Sequence, residues 1–434
     1  MKHAIQIIAI LLMIILLTGC TTNTTNTTNT TNTTNTTNPT DSTSQITDNL
    51  VDTVKNDFRG DVAGDWVMRR QYSVGTFSDE GYYYTSPEGF LYFYDPARRV
   101  SVRLCSDLNC LHEEETQYDI YENCEAFIGG NWMRNTLFFT NETLYYIDQD
   151  YYGTYLYSRD PAGMNEKEVA SLAQGYWKPD RSLIVSDALV HNGKLYYTVD
   201  VEGSVWHEEE QVTYVEREFS VICCMDLQTG VETELVRTGR EEQLLLAAVS
   251  DDVILCQVAA STEPEDARNV LYTLILHSTK GLGSRIVKQS NTNMATFFDI
   301  QDGVFFTEEK AEDGTVSMAG YDLLTSEIKT SIQLPERYLQ YLNEKYRLQY
   351  TPAHGTAFSI YDINTGAFLD GSVNGKYAHV YNVSDTGFIL KASIFDKESG
   401  EYQAHQLFYC SFDSVEDGFQ KEDLHPILTI GNAE

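Results

Sequence analysis

Apolar and polar positions along this chain alternate in short bursts, and one phrase keeps returning. A polar turn leads into an aromatic or aliphatic strand; after a gap comes a second strand, closed by an Asp-led turn. The opening strand reads Gly81-Tyr82-Tyr83-Tyr84, Leu144-Tyr145-Tyr146-Ile147 and Leu195-Tyr196-Tyr197-Thr198, then Val253-Ile254-Leu255-Cys256, Val304-Phe305-Phe306-Thr307 and Phe388-Ile389-Leu390. The closing phrase reads Tyr92-Phe93-Tyr94-Asp95-Pro96, Tyr155 to Gly163, Cys224 to Gly230, Gly320 to Thr325 and Ile360 to Gly366. Weaker copies stand at His277 to Gly281 and at Phe412-Asp413, which brings the count to seven. An Asp before Thr-Gly or Ala-Gly suits a tight turn, because its carboxylate accepts backbone N–H bonds and Gly takes positive φ.

Copies about 40 to 65 residues apart suit four-stranded blades with loops of variable length. The pattern therefore predicts an all-β chain folded as a β-propeller, most simply of seven blades, with six or eight as near variants. A pair of β-sandwiches is the competing arrangement, but it would not require the repeated phrase. With 29 Tyr and only 9 Pro, the composition agrees with packed strands. The exception is Pro335 to Tyr346, where Leu339, Leu342 and Tyr346 fall at helical spacing after a Pro; this predicts a short helical insertion.

The N-terminus follows another grammar. Lys2 and His3 precede an apolar run from Ile5 to Leu17, which is short for a membrane span and ends in Leu17-Thr18-Gly19-Cys20. That ending resembles the lipobox of bacterial lipoproteins, which implies cleavage before Cys20 and a diacylglyceryl group on its thiol. The alternative is an ordinary secretory peptide with a chance cysteine. Thr21 to Thr37 repeat Thr-Thr-Asn, and the polar residues continue to Gln45. Such a tract has nothing apolar to bury, so it reads as a flexible spacer reaching roughly 30 Å. The expected organisation is a signal peptide at 1–19, a lipidated Cys20 with a disordered spacer to 48, and a propeller over 49–434.

Taken together, the phrase and the N-terminus resemble the lipid-anchored, TolB-like propeller lipoproteins of Gram-positive bacteria. The resemblance implies fold and an extracytoplasmic, membrane-anchored location, and little about activity. Acidic residues outnumber basic ones 64 to 30, for a formal charge of −34. Such a surface repels nucleic acid, anionic headgroups and acidic wall polymers, so none is expected as a direct ligand.

Local chemistry concentrates in an insertion at 104–128, where Cys105, Cys110 and His112 are followed by Cys124. The C-x4-C-x-H…C order also resembles a motif of those lipoproteins. Three thiolates and an imidazole are what a closed tetrahedral zinc site needs, and such a site would be structural, with no open position for water. A disulfide with one spare cysteine, or a set of unrelated buried thiols, competes with it. Cys223 and Cys224, Cys256 and Cys410 sit in apolar strands and read as core; neighbours on a strand face opposite ways, so Cys223 and Cys224 do not pair.

No G-x-S-x-G, H-E-x-x-H, P-loop or dinucleotide fingerprint occurs. Gly281-Leu282-Gly283-Ser284 reads as a loop, Trp206-His207-Glu208-Glu209-Glu210 as a solvated run, and Asp148-Gln149-Asp150 as too few donors for calcium. The expected function is a non-enzymatic binding or scaffolding module. It would offer a shallow, acidic, aromatic-lined face to a protein, peptide or glycan. The alternatives are a carbohydrate-active enzyme using carboxylates near the propeller axis and a passive envelope component.

Overall fold

The computed structural model describes residues 49–431 except 70–74, 87, 108–109, 111–123, 129–136, 150–152, 208–211, 263–268, 295–297, 312, 334–338, 344, 351–356, 373–375, 396–401 and 419–420. Cys20 and the whole expected signal and spacer lie outside the described residues. A single helical turn, α1 (Leu50–Thr53), and a two-residue strand, β1 (Val67–Met68), come first. Seven sheets follow.

Blade 1 holds β2 (Gly75–Phe77), β3 (Tyr82–Thr85), β4 (Leu91–Asp95) and β5 (Val100–Arg103). Blade 2 holds β6 (Leu137–Thr140), β7 (Thr143–Gln149), β8 (Thr154–Arg159) and β9 (Lys167–Leu172). Blade 3 holds β10 (Arg181–His191), β11 (Lys194–His207), β12 (Val212–Asp226) and β13 (Glu232–Arg237). Blade 4 is β14 (Glu242–Ser250), β15 (Val253–Ser261), β16 (Val270–Ser278) and β17 (Ser284–Ser290). Blade 5 is β18 (Phe298–Gln301), β19 (Val304–Lys310), β20 (Val316–Asp322) and β21 (Ile328–Gln333). Blade 6 is β22 (Leu339–Tyr341), β23 (Tyr346–Tyr350), β24 (Ala357–Asp362) and β25 (Ala367–Ser372). Blade 7 is β26 (Lys376–Val383), β27 (Gly387–Phe395), β28 (Tyr402–Ser411) and β29 (His425–Gly431), with helix α2 (Phe412–Glu416) between the last two. Within each blade the strands stand in chain order with antiparallel neighbours. This is the expected seven-bladed β-propeller.

The near-continuous apolar strands follow from each sheet having two buried faces. In β15, Val253 and Leu255 enter the core shared with blade 5, while Ile254 and Cys256 enter the core shared with blade 3. Cys223 and Cys224 likewise point to opposite faces, as the period of two requires. Asp226, Asp322 and Asp362 close the expected turn after the third strands of blades 3, 5 and 6 by accepting from the amides two and three residues on. Asp95 accepts from Arg98 N in blade 1, Asp160 from Met164 N in blade 2 and Ser278 from Lys280 N in blade 4, whereas Ser411 of blade 7 caps helix α2 through Ser414 N.

The helical expectation over Pro335 to Tyr346 is overturned for its described part. Leu339–Tyr341 is a strand paired with Tyr346–Tyr350, and Asn343 Oδ1 closes the turn by accepting from the amides of Lys345 (2.9 Å) and Tyr346 (2.8 Å). Leu342 and Tyr346 are both buried, one from the turn and one from the strand, so two core contacts imitated a helical stripe.

Among the described residues no strand is shared between the ends of the ring. Blades 7 and 1 meet through Tyr82, Tyr84 and Tyr94 on one side and Tyr381, Ile389, Leu407, Tyr409 and Ile427 on the other. The rings of Tyr94 and Tyr409 lie 5.6 Å apart, and Asn382 Nδ2 donates to the Gly75 carbonyl at 2.9 Å. The N-terminal segment instead joins blade 4, where β1 pairs with the inner edge of β14. Among the described residues no helix is long and apolar enough to cross a membrane.

Truncating Tyr84 to Ala should remove a fully buried ring from the closing seam and lower the unfolding free energy by about 3–5 kcal/mol, read from urea melts. A loss under about 1 kcal/mol would show that the seam does not hold the ring. The Lys329 ammonium, then the Thr325 and Leu324 amides, hold the Asp322 carboxyl down at about 2. Its contribution to stability is thus complete above the ordinary carboxylate pKa and disappears as pH falls toward 2. Asp322→Asn should flatten the stability curve in that acid range and lower its neutral part by a constant amount without changing the slope there, read from urea melts at pH 2 to 7.

Candidate functional site

The one thiol cluster among the described residues lies where blade 1 hands the chain to blade 2. Strand β5 ends at Arg103, Leu104 N donates to Leu91 O at 3.0 Å, and Cys105 leaves the sheet. The Cys110 amide turns back on Asp107 O at 3.1 Å. The chain returns at Cys124, whose carbonyl accepts from Phe127 N (2.8 Å), and Phe127 bridges Phe90 on the β3–β4 turn. These turns bring the Sγ atoms of Cys105, Cys110 and Cys124 within 4.8 Å of one another.

Phe90, Ala126 and Cys124 form a small apolar core under the cluster. Arg159 of blade 2 reaches across to the carbonyls of Glu125 and Phe127 and is itself paired with Glu166. Glu125 accepts from Ser106 N and Oγ, tying the outgoing and returning limbs together. The loop is therefore held by polar ties at its base, and three thiols converge at its centre.

Burial pushes the Cys124 thiol up to about 12; the Ala126 amide opposes this, while Cys110 and Cys105 add to it. That favours the protonated Cys124 thiol, and a divalent ion bound there would favour its thiolate. The described cysteines are all free thiols. Three Sγ atoms at this separation can hold a metal ion. His112, the expected fourth ligand, lies outside the described residues.

Two concave places complete the picture. At the axis, β1 with Arg69 lies along β14, Arg69 forms an ion pair with Asp187, and a cavity of about 250 Å³ remains. Its lining from β1, β2, β6, β10 and β26 includes Met68, Phe138, Leu189 and Asn382, and none of the lining residues is a carboxylate. Asp187, next to the lining residue Ala188, is largely buried and paired with Arg69.

A larger cleft of about 490 Å³ opens between the turns of blades 6 and 7. Tyr341, Asn343 and Lys345 line one side, and Asp385, Phe412 and Glu416 the other. The Arg347 guanidinium lies 4.5 Å from the Tyr341 ring, and Lys345 Nζ stands 3.3 Å from Glu416. Sequence reasoning read Asp385-Thr386-Gly387 only as a turn. Nothing in the local pattern announces the cleft, because it arises from two blades meeting.

The remaining candidates are local. Trp206 is exposed near the end of β11, and Glu208 to Glu210 lie outside the described residues. Asp148 and Gln149 belong to β7, with Asp150 outside, and Gly281 to Ser284 form the β16–β17 turn as expected.

No protein-family model matches the chain, and no curated protein matches it. Among solved structures, it is similar to a puromycin hydrolase (11% identity, TM-score 0.47), covering 87% of this chain and 56% of that one. It is also similar to an oligogalacturonate lyase from Vibrio parahaemolyticus (11%, TM-score 0.45), covering 76% of this chain and 88% of the other. A computationally designed protein, Ika8, stands at 12% and 0.41, with 79% and 85% covered. The chain spans about half the length of the puromycin hydrolase. Likenesses this distant say nothing of activity, and the seven-bladed fold stands on the strand order itself.

In metal-free native protein, a small thiol reagent should modify half-buried Cys105 and Cys110 ahead of Cys223, Cys256 and Cys410, which are buried among strands. Mass mapping of the modified peptides checks the order; early labelling of Cys256 would contradict the described core.

Proposed function

We propose that this protein is a non-enzymatic binding propeller, held outside the cytoplasmic membrane by a diacylglyceryl group on Cys20. It takes a glycan or peptide in the cleft between blades 6 and 7. One observation carries the binding reading: the cleft joins an aromatic wall, Tyr341 and Phe412, to the convergent polar groups of Asn343, Lys345, Asp385 and Glu416. Ligand sites combine these two features, apolar surface for area and a few polar groups for orientation. Two carboxylates and a lysine line this cleft, whereas no charged residue lines the axial cavity. Zinc on Cys105, Cys110, Cys124 and His112 would act as a clamp on the insertion, with all four positions filled and no catalytic water.

The carbohydrate-active alternative draws on the same cleft, because Asp385 and Glu416 both line it. A glycosidase acid needs apolar shielding, and both residues stand exposed. That favours holding a ligand over cleaving one.

Oligosaccharide and peptide arrays probed with the mature chain test the reading. Asp385→Asn and Tyr341→Ala should each weaken capture about tenfold or more. Release of shortened oligosaccharide by the unmodified protein would favour the enzyme instead. Cys20→Ala should shift the protein from the membrane fraction to the soluble one. Elemental mass spectrometry should find about one zinc per chain, lost in Cys105→Ser and His112→Ala. Metal-free protein with a reagent-resistant cysteine pair would replace the clamp by a disulfide.

A further inference from the structure

In a chain of charge −34, buried and half-buried cations are expected to face carboxylates. Arg159 faces Glu166, Arg181 faces Glu218, Lys288 faces Glu309, and Arg347 faces Asp299. Lys391 of β27 departs from this pattern. It is half-buried, forms no ion pair among the described residues, and rests its ammonium 5.2 Å from the centroid of the Tyr381 ring.

The strand register gathers further nitrogen and hydroxyl groups around it. His379 of β26 is its direct cross-strand partner, and Ser393 follows two residues on along β27. Ser393 is paired with His405 of β28, and its Oγ lies 3.0 Å from His405 Nδ1. Cross-strand partners share a sheet face, with Cβ atoms about 5 Å apart. That face is the one carrying Ile389, Leu407 and Tyr409, so it looks across the seam toward blade 1. Ile427 and Leu428 from β29 and Tyr84 and Tyr92 from blade 1 pack there, with Arg103 hydrogen-bonded to the Tyr92 hydroxyl; the carboxylates acting on this seam, Asp95 on Tyr94 and Asp413 on Tyr409, stand at the turn ends of β4 and β28.

We propose that His379, Lys391, Ser393 and His405 form an oxyanion-binding site in the seam between blades 7 and 1, suited to a phosphoryl group. The ammonium supplies the charge, the imidazoles and hydroxyl supply directed donors, and Tyr381 forms the floor. Burial and the neighbouring Lys391 ammonium lower the pKa of both histidines, and burial lowers that of Lys391. A bound anion favours the protonated imidazoles, so affinity rises as pH falls. This site is independent of the cleft between blades 6 and 7.

The probes are inorganic phosphate and glycerol 3-phosphate, titrated calorimetrically into the mature chain at pH 6 and pH 8. The expected result is saturable one-to-one binding, at least tenfold tighter at pH 6. Lys391→Met should abolish it, and His405→Gln should reduce the pH dependence at least threefold. Equal affinity for both probes identifies a phosphoryl head on a larger ligand, and binding of phosphate alone identifies the free ion; either supports the site. Absence of binding at pH 6, or binding undiminished in Lys391→Met, overturns it. If Lys391→Met fails to fold, Lys391→Arg decides, since it keeps the cation and must keep the binding.

Discussion

Everything in this molecule depends on burying both faces of seven sheets at once. Each sheet is covered on both faces except at its last strand and, in blade 3, at the far end of the β11–β12 hairpin, so most apolar strands must serve two cores. The seven interfaces each hold their own cluster, from the large cores between blades 2 and 3 and between blades 4 and 5 to the tyrosine-rich one between blades 7 and 1. A ring of this kind gains its last interface only when all the others have formed. Among the described residues that interface shares no strand: side chains pack across it and donate to backbone carbonyls such as that of Gly75, while the N-terminal strand pairs with blade 4.

The interfaces are not equal. Between blades 5 and 6 the buried apolar cluster is small, consisting of Val316, Met318 and Tyr361. The same interface carries Arg347 and Asp299, both buried and 3.7 Å apart. Burying such a pair in place of apolar contacts adds little net stability, but removing one partner would strand the other charge. The insertion at 104–128 is a second place with a small buried cluster, Phe90, Cys124 and Ala126. Its return limb is held by Arg159 hydrogen bonds to the carbonyls of Glu125 and Phe127, so polar ties there supplement the packing.

The propeller was legible because its physics is local and repeated. Period-two strands, aromatic enrichment and Asp-led turns each leave a mark on the chain, and the marks recur. The thiol cluster was legible in part: the order Cys105, Cys110, Cys124 suggested convergence, and the three Sγ atoms do converge. The helical reading near Leu339 failed because two buried positions, Leu342 and Tyr346, satisfy helical and hairpin spacing equally. Asn343 settles the matter by accepting two turn amides, an effect that depends on one side-chain oxygen and not on periodicity.

What the sequence by itself determined is the blade: which residues form strands, which faces are apolar, and where each hairpin turns. These follow from backbone preferences and from alternation, both properties of neighbouring residues. What only the tertiary structure decided is which blades touch and what their contacts create. The cleft at Tyr341 and Asp385, the seam at Tyr94 and Tyr409, and the basic face at Lys391 join residues from separate strands or separate blades. Their chemistry exists only once the ring brings sheets distant in the chain face to face.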